Sequence, residues 1–239
     1  MSNESLYLFD LDGTLTPARL PMEEYFARRF IPFIKTNSAY IVSGSDIVKV
    51  KEQIPSEIFF YICGIFSSMG NEIYKKGEKI FSRPFVEDAL LVDLLTTERK
   101  RTKYPFKLFP NYLEKRCGAI NFSVLGRDCP HSERIKYKNW DDSSGERKEI
   151  VDRLKKLCPG YEFSIGGNIS IDIVKKGFGK EQVIDILRKE FPKTKIIFFG
   201  DKIDEGGNDY SLVQYLRAAG NYEIHGVENP KECLEILGI

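Results

Sequence analysis

The sequence predicts an α/β protein in which a doubly wound parallel sheet forms a core and an α+β module of antiparallel strands and helices is inserted into it. Two patterns predict this architecture. Toward both ends of the chain, helical segments separate short apolar runs that end in polar residues, as is typical of strands buried on both faces of a parallel sheet. In the middle of the chain, apolar and polar residues alternate with a period of two, which is typical of antiparallel strands with one buried face.

Four apolar runs predict the strands of the core, and helical patterns follow the first two of them. The runs are Leu6–Phe9, Ala39–Val42, Ile58–Phe66 and Lys195–Phe199. The first helical pattern covers about 21–34. After the second run, Ser45 has a side chain suited to capping a helix, and that helix is expected to extend to about Gln53.

The inserted module is predicted from two alternating segments and two helical ones. Ile120–Val124 and Ile169–Ile173 alternate apolar with polar residues, and helices over Glu87–Arg101 and Gly145–Leu157 are expected to cover the buried face of their sheet. Pro or Gly interrupts the pattern near 82–84 and 175–179. We therefore expect the core to comprise residues 1–82 and 178–239, and the insertion to comprise residues 83–177.

Composition narrows the class of protein. The 239 residues are 42% hydrophobic and 30% charged, which is ordinary for a globular chain and excludes a disordered or collagen-like one. No apolar run reaches the ~18 residues that a membrane helix needs, and the first residues lack the pattern of a signal peptide. The five cysteines are odd in number and form no C-x-x-C pair, which indicates thiols in a reducing compartment. A cytoplasmic protein without a membrane partner is therefore expected.

The net charge of +1 conceals an asymmetry along the chain. The totals are 36 Lys and Arg against 35 Asp and Glu, yet the stretch Arg99–Lys138 holds eleven basic and three acidic residues. A basic insertion within an acidic core indicates two parts with different functions. The alternative is a basic face that water solvates.

Two carboxylates follow the first predicted strand. Asp10 and Asp12 precede Gly13 at the carboxyl end of that strand, where open α/β sheets bind ligands. Asp201 follows the last predicted strand in the same way. Three carboxylates at one edge of a sheet repel one another, and a hard divalent cation such as Mg²⁺ offsets the repulsion. The alternative, a plain Asp-Gly turn or a helix cap, leaves Asp201 unexplained.

These motifs resemble, in their order, those of the haloacid dehalogenase superfamily of phosphoryl-transfer enzymes. The superfamily pattern is a strand followed by D-x-D-G-T, a strand followed by Ser or Thr, a Lys, and a strand followed by Gly-Asp and later acids, which corresponds here to Asp10 and Asp12, Ser43 or Ser45, Lys180, and Asp201. Over nearly the whole chain the sequence is also similar to the eukaryotic-type phosphomannomutases. The similar segments are 10–19, 44–46, 116–134, 163–172 and 198–209. This resemblance implies a haloacid-dehalogenase-like core with an inserted cap.

The resemblance also implies roles for residues of the core. Asp10 is expected to be the nucleophile, Asp12 the general acid/base, and Lys180 the partner of Asp10 and of the phosphoryl charge. A serine is expected to hydrogen-bond the phosphoryl group: spacing favours Ser43, whereas the similarity favours Gly44-Ser45, and the two remain alternatives. The expected magnesium site comprises Asp10, Asp12 through its backbone carbonyl, Asp201, Asn208 and Asp209, the last two of which would orient the water shell of the metal or Lys180.

For the insertion, the resemblance implies recognition of a hexose phosphate. Three arginines are expected to clamp the phosphate distal to the reacting one, since guanidinium groups bind phosphate through two donors at once. They are Arg116, Arg127 and Arg134. Ser170 and Asp172 are expected to share one wet face of a strand and to contact sugar hydroxyls, and Arg19 is a further expected substrate contact. The alternative is that these side chains are ordinary solvated surface residues.

Three functions follow from these residues. The resemblance implies a Mg²⁺-dependent enzyme that interconverts mannose 6-phosphate and mannose 1-phosphate through an aspartyl phosphate and a hexose 1,6-bisphosphate, which also serves as activator. Such an enzyme would feed GDP-mannose synthesis and form a homodimer through its cap. A sugar-phosphate phosphatase with the same core is the alternative. A module that binds nucleic acid or another polyanion through Arg99–Lys138 is more remote, because it leaves the carboxylates unexplained; no nucleic-acid partner is expected.

Overall fold

Strands and helices alternate along most of the chain in a computed structural model that describes residues 5–86 and 88–239. In chain order the elements are β1 (Ser5–Asp10), α1 (Glu24–Thr36), β2 (Ser38–Val42), α2 (Ile47–Gln53), α3 (Ser56–Tyr61), β3 (Gly64–Ser67), β4 (Glu72–Lys75), β5 (Glu78–Ser82), α4 (Ala89–Lys100), β6 (Leu113–Arg116), β7 (Ala119–Phe122), α5 (His131–Ser144), α6 (Glu146–Leu157), β8 (Tyr161–Gly166), β9 (Ser170–Lys175), α7 (Gln182–Glu190), β10 (Lys195–Gly200), α8 (Tyr210–Ala219), β11 (Tyr222–Gly226) and α9 (Pro230–Leu237).

The chain divides into two compact units. One contains the described residues up to Arg83 together with Gly177–Ile239, and the other contains the described residues of Pro84–Lys176. We call them the core unit and the inserted unit. Across the two described stretches of the chain, none of the helices combines the length and the apolar character that crossing a membrane requires.

The core unit is built on a seven-stranded sheet with the strand order β11-β10-β1-β2-β3-β4-β5. The strands from β11 to β3 pair in parallel, and β4 and β5 add an antiparallel hairpin at one side. Parallel neighbours end at the same edge of a sheet. The residues that follow β1, β2 and β10 are therefore brought together at one edge.

Helices cover both faces of this sheet. On one face, Phe9 packs in an apolar cluster with Phe30 of α1 and Leu234 of α9. On the other face, Leu8 packs in a second cluster with residues of α7 and α8, among them Leu212. Successive residues of β1 thus enter opposite clusters, as the pleat of a strand requires. The predicted fold, a doubly wound parallel sheet, is confirmed.

The third apolar run forms two elements instead of one. Ile58 lies in helix α3, which ends at Tyr61, and Phe66 lies in strand β3, which begins at Gly64. Both Ile58 and Phe66 are buried. Helix α3 buries Ile58 but exposes the aromatic residues Phe60 and Tyr61, which continue the apolar run into the buried strand, so the run alone could not separate the two elements.

Two local expectations about helices of the core unit also change. Helix α1 begins at Glu24 and ends at Thr36, each two or three residues later than expected. Helix α2 is capped by Asp46, whose carboxylate accepts a hydrogen bond of 2.9 Å from the backbone N–H of Lys49. The prediction that Ser45 caps this helix is wrong, because the hydroxyl of Ser45 instead donates to Asp12 over 3.4 Å.

The inserted unit contains a four-stranded antiparallel sheet with the order β6-β7-β9-β8, and helices α4, α5 and α6 share an apolar core with one of its faces. Helix α4 is capped by Asp88, which accepts from the backbone of Leu90 and Leu91; Glu87, the expected first residue, lies outside the described residues. Helix α6 matches the expected helix. Helix α5 was not predicted, because Tyr137 and Asp141 are its buried residues and its polar sequence shows no apolar stripe.

Candidate active site

Carboxylates from three parts of the core unit meet at the edge where β1 and β10 end. Asp10 is the last residue of β1, Asp201 follows β10, and Asp209 precedes α8. Each offers a carboxylate oxygen that lies within 4.8 Å of those of the other two. Asp10 and Asp209 are buried and Asp201 is partly buried. The edge of the sheet therefore concentrates negative charge out of water.

Lys180 lies between two of these carboxylates. Its Nζ donates to Oδ1 of Asp10 over 2.6 Å and to Oδ1 of Asp209 over 2.6 Å. The side chain of Lys180 is only 1% exposed, so the ammonium has exchanged water for the two carboxylates. Lys180 is thus a buried cation beside three carboxyl groups, and the exposed ammonium of Lys202 lies 3.6 Å from Asp201.

Burial and mutual repulsion shift the pKa values of this cluster. Burial, followed by the charge of Asp209, raises the pKa of Asp10 to about 8, and the charge and hydrogen bond of Lys180 only partly oppose this. Burial also raises the pKa of Asp201. For Lys180, burial lowers the pKa, but the charges of Asp10 and Asp209 outweigh burial and the pKa is raised above its ordinary value. The cluster therefore favours binding of additional positive charge.

The oxygen atoms of the cluster suit a hard divalent cation. Within the described parts of the chain, Oδ2 of Asp10, Oδ1 of Asp201 and Oδ1 of Asn208 are buried and have no hydrogen-bond partner. Unpaired buried acceptors are costly, and oxygen ligands that include carboxylates are those that Mg²⁺ binds. The donor set therefore fits Mg²⁺ and does not suit a metal that prefers sulfur or imidazole.

Gly13 allows Asp201 to approach the first motif. Its φ angle is +90°, in the region that favours glycine. A Cβ atom at this position would lie 2.4 Å from Oδ2 of Asp201. Both observations explain why the turn after Asp12 has glycine at this position.

Asp12 is held by donors other than Lys180. Its Oδ1 accepts from the backbone N–H of Arg19 over 2.7 Å and from Nε2 of Gln53 over 2.9 Å, and its Oδ2 accepts from the hydroxyl of Ser45 over 3.4 Å. The Arg19 side chain is exposed. Gln53 was not among the expected site residues. The sequence signal that could have found it is a polar residue on the same side of α2 as the buried Val50.

Ser43 and Ser45 both lie in the loop after β2. Ser43 is buried, and its Oγ accepts from the backbone N–H of Ser45 over 3.0 Å. The backbone N–H groups of Ser68 and Met69 donate to the carbonyls of Ser45 and Ser43, each over 2.8 Å, and hold the loop from the other side. Ser68 and Met69 both have positive φ angles, 49° and 61°. This loop is therefore fixed by a backbone segment in a strained conformation.

A polar row crosses one face of the sheet in the inserted unit. Glu114 of β6 is paired in register with Asn121 of β7, and Asn121 is paired with Asp172 of β9. Oε2 of Glu114 lies 2.8 Å from Nη2 of Arg116 and 2.8 Å from Nη2 of Arg127. Nη1 of Arg127 donates to Oδ1 of Asn121, and Nδ2 of Asn121 donates to Oδ1 of Asp172 over 2.5 Å. The row thus connects two of the expected clamp arginines with Asp172.

Ser170 is buried, contrary to the expectation of a wet face, whereas the side chain of Asp172 on the same face is 21% exposed. Ser170 is 3% exposed, and its Oγ lies 3.5 Å from Nη1 of Arg127. The residue is buried partly because Arg127, from a distant part of the sequence, covers the sheet. The third expected arginine, Arg134, donates from Nη2 to the carbonyl of Arg127 over 2.7 Å. The structure therefore brings Arg116, Arg127, Arg134, Ser170 and Asp172 together in the inserted unit.

Buried Arg147 holds the turn that leads to Ser170. Its guanidinium donates from Nε to Asp141 over 2.6 Å, and from Nη1 to the carbonyls of Gly167 and Ser170 over 2.9 and 3.2 Å. One side chain thus joins the junction of α5 and α6 to the turn between β8 and β9. Arg147 was not among the expected site residues. The sequence signal that could have found it is a basic residue three, four and seven positions before the apolar Ile150, Val151 and Leu154, on the buried face of α6.

The chain is similar to known proteins over almost its whole length. A model of the family described as eukaryotic phosphomannomutase matches residues 28–238. The phosphomannomutase of Saccharomyces cerevisiae is 34% identical over 243 residues, covering 98% of this chain and 93% of the yeast protein. Phosphomannomutase 1 of Homo sapiens is 30% identical over 243 residues, covering 97% of this chain and 92% of the human protein.

Solved structures show the same fold at lower sequence identity. A sugar phosphatase of subclass IIB of the haloacid dehalogenase superfamily matches with a TM-score of 0.59 at 16% identity, covering 98% of this chain and 99% of that chain. The parallel core and separate antiparallel sheet are thus the fold of haloacid dehalogenase enzymes.

Proposed function

The chain belongs to the eukaryotic phosphomannomutase family, and from this premise we propose that it interconverts mannose 6-phosphate and mannose 1-phosphate through a phosphorylated Asp10. The observation that carries the proposal is the buried contact of Asp10 with Lys180 beside two further carboxylates. The hydrogen bond from Lys180 orients one carboxylate oxygen of Asp10 and favours its ionised form. The other oxygen, Oδ2, accepts no hydrogen bond from a described residue, so the carboxylate keeps lone pairs for attack on phosphorus as well as for the metal.

The proposed reaction consists of two transfers that mirror each other. Phospho-Asp10 gives its phosphoryl group to a hydroxyl of the hexose monophosphate: an O–P bond to the sugar forms, the O–P bond to Asp10 breaks, and Asp12 takes the hydroxyl proton. The product is a hexose 1,6-bisphosphate. In the second transfer Asp10 attacks the other phosphorus, and Asp12 returns the proton to the leaving oxygen. The contacts with Arg19, Gln53 and Ser45 orient Asp12 for proton transfer.

Mg²⁺ is part of the proposal because the buried acceptors fit it. Asp10, Asp201 and Asn208 would hold the ion together with the backbone carbonyl of Asp12, and Asp209 would orient Lys180. When bound, Mg²⁺ would neutralise charge on the transferring phosphoryl group. Ser43 or Ser45 would donate a hydrogen bond to a phosphoryl oxygen.

The inserted unit is proposed to recognise the substrate. Its three arginines would bind the phosphate that is not transferred, and Ser170 and Asp172 would contact the sugar hydroxyls. What supports this assignment is the set of contacts that joins them: Arg127 reaches both Asn121 and Ser170, and Arg134 donates to the carbonyl of Arg127. Arg19 would be a further substrate contact through its exposed side chain.

The family also suggests a cellular setting. We propose that the enzyme works in the cytoplasm and feeds GDP-mannose synthesis, that hexose 1,6-bisphosphate activates it by phosphorylating Asp10, and that it forms a homodimer through the inserted unit.

The test is an incubation with mannose 1-phosphate and Mg²⁺, with and without hexose 1,6-bisphosphate, in which both mannose 6-phosphate and inorganic phosphate are measured. We expect isomer formation that the bisphosphate stimulates. Rapid release of phosphate without isomer would show a sugar-phosphate phosphatase instead. Asp10→Asn is expected to abolish either activity, and an active Asp10→Asn variant would disprove the assignment of the nucleophile.

A further inference from the structure

Glu114 joins two of the arginines that are proposed to bind phosphate. It lies on β6, an outer strand of the sheet in the inserted unit. One oxygen, Oε2, is 2.8 Å from Nη2 of Arg116 and also 2.8 Å from Nη2 of Arg127. Arg116 ends the same strand, whereas Arg127 follows the next one. A single carboxylate oxygen thus bridges two arginines from different segments.

On its second side, the guanidinium group of Arg127 has a hydrogen-bond acceptor, and that of Arg116 has a carboxylate at ion-pair distance. Nη1 of Arg127 donates to Asn121, and Nη1 of Arg116 lies 3.6 Å from Oδ1 of Asp172. Acceptors on both sides fix the orientation of a planar guanidinium group before a ligand arrives. Glu114 is the acceptor that the two groups share, so its loss would release both at once.

The two guanidinium groups need a carboxylate partner because they carry like charges and are largely buried. Their side chains are only 13% and 19% exposed. Burial and the neighbouring positive charges of Arg116 and Arg134 lower the pKa of Arg127, while the charge of Glu114 opposes this. Without a carboxylate between them, the two groups would move apart toward water, and each would lose its orientation.

We propose that Glu114 is a positioning residue for the hexose phosphate, which holds Arg116 and Arg127 in the orientation that binds the phosphate. This inference rests on the proposed function of these arginines. The direction of the change in affinity distinguishes this positioning role from a purely electrostatic one. Removal of a negative charge beside a phosphate site would strengthen binding if charge alone mattered. If Glu114 positions the arginines, its removal weakens binding.

The test compares Glu114→Gln and Glu114→Ala with wild type, each as the full chain. The Kd is measured by titration with mannose 6-phosphate, and KM and kcat are measured in parallel. We expect Glu114→Ala to raise Kd and KM by about tenfold, the equivalent of ~1.4 kcal/mol, with kcat changed less than about twofold because the groups around Asp10 are untouched. Glu114→Gln keeps an acceptor oxygen, so its Kd and KM are expected to lie between those of wild type and those of Glu114→Ala.

Asp128→Asn is the matched control. It removes a carboxylate next to Arg127, but that carboxylate contacts Asn111. We expect it to leave the affinity unchanged or to strengthen it slightly. Weakening by Asp128→Asn equal to that by Glu114→Gln would show that the loss of affinity does not depend on the contacts with Arg116 and Arg127, and would overturn the positioning role.

A double-mutant cycle shows whether Glu114 acts through the arginines. In an Arg116→Ala background, one of the two groups that Glu114 holds is already absent, so Glu114→Ala is expected to weaken binding by a smaller factor than in wild type. An equal factor in both backgrounds would contradict the inference. Glu114 is partly exposed on an outer strand, and far-UV circular dichroism verifies that each variant is folded; Glu114→Gln carries the test if Glu114→Ala unfolds.

The two proposals fail in different ways. If wild type neither binds nor isomerises hexose phosphates, the proposed function is wrong and the role of Glu114 falls with it. If wild type binds mannose 6-phosphate and Glu114→Ala binds it equally well or more tightly, the function stands and the positioning role is wrong.

Discussion

The replacement of Lys180 by methionine is the perturbation that the structure predicts most sharply for stability. Lys180 is buried and pairs with Asp10 and Asp209 at 2.6 Å each. Removal of one partner from a buried ion pair costs about 3–5 kcal/mol, because the remaining charge is left in a dry site. Above the folded-state pKa of Asp10, about 8, both carboxylates are ionised and both lose their cation, so we expect the upper part of that range there.

The assay is urea unfolding followed by circular dichroism in buffer with EDTA, so that no divalent cation replaces the ammonium. Lys202→Met is the matched control. Lys202 lies 3.6 Å from Asp201 of the same cluster, but its side chain is 56% exposed. An exposed ion pair contributes little, and we expect its loss to change the free energy of unfolding by less than ~1 kcal/mol.

A second variant shows where the loss of stability originates. Asp209→Asn in the Lys180→Met background removes one of the two stranded carboxylates, so the double variant is expected to be more stable than Lys180→Met alone. A free energy of unfolding for Lys180→Met within about 1 kcal/mol of wild type would refute the electrostatic account of this cluster.

Three further predictions concern the same edge of the sheet. Mg²⁺ at 100 times its Kd should stabilise wild type by about 2.7 kcal/mol in thermal unfolding, and Asp201→Asn should abolish most of that gain; an equal gain in the variant would exclude Asp201 as a ligand. In EDTA, the pKa of Asp10 is about 8 in the folded state against 3.8 in the unfolded chain. Between these two values the folded state binds one more proton than the unfolded state, so the contribution of Asp10 to the free energy of unfolding falls as pH rises from about 4 to about 8. Wild type should therefore lose stability relative to Asp10→Asn by up to about 1.4 kcal/mol per pH unit over that window, and parallel pH profiles would contradict the assignment. Gly13→Ala should abolish activity and the thermal shift caused by Mg²⁺, because its Cβ would lie 2.4 Å from a carboxylate oxygen of Asp201. In the control Gly77→Ala, at φ +79° with open space around it, only the backbone strain should lower stability. Intact Mg²⁺ binding in Gly13→Ala would show that the close contact between Gly13 and Asp201 is unimportant.

The sequence predicted those parts of the fold whose signal lies within one short segment of the chain. Leu6–Phe9 is an apolar strand followed by a carboxylate, and the rule that parallel strands end at one edge predicts that Asp10 and Asp201 approach each other. Helix α5 escaped prediction because its buried residues, Tyr137 and Asp141, do not form an apolar stripe. The boundary between α3 and β3 escaped because Phe60 and Tyr61, which are exposed at the end of α3, continue the apolar run into β3.

The contacts that orient the candidate site depend on residues far apart in the sequence. Gln53 reaches Asp12 across 41 positions, and Arg127 reaches Ser170 across 43. A pattern of two along β9 indicates which side chains share a face, but it does not indicate that an arginine from another segment covers that face. For this reason Ser170 was expected to be wet and is buried. Glu114 contacts Arg116 two positions along the same strand, but its contact with Arg127 had no local signal for the same reason.

The most direct test of the central proposal follows a labelled phosphoryl group. The protein is mixed with hexose 1,6-bisphosphate carrying a radioactive phosphate, quenched in acid, digested and analysed by mass spectrometry, and a second sample is chased with unlabelled mannose 1-phosphate before the quench. We expect the label on the peptide that contains Asp10, and its transfer to hexose phosphates during the chase. Label on another residue, or label that leaves only as inorganic phosphate, would contradict the account.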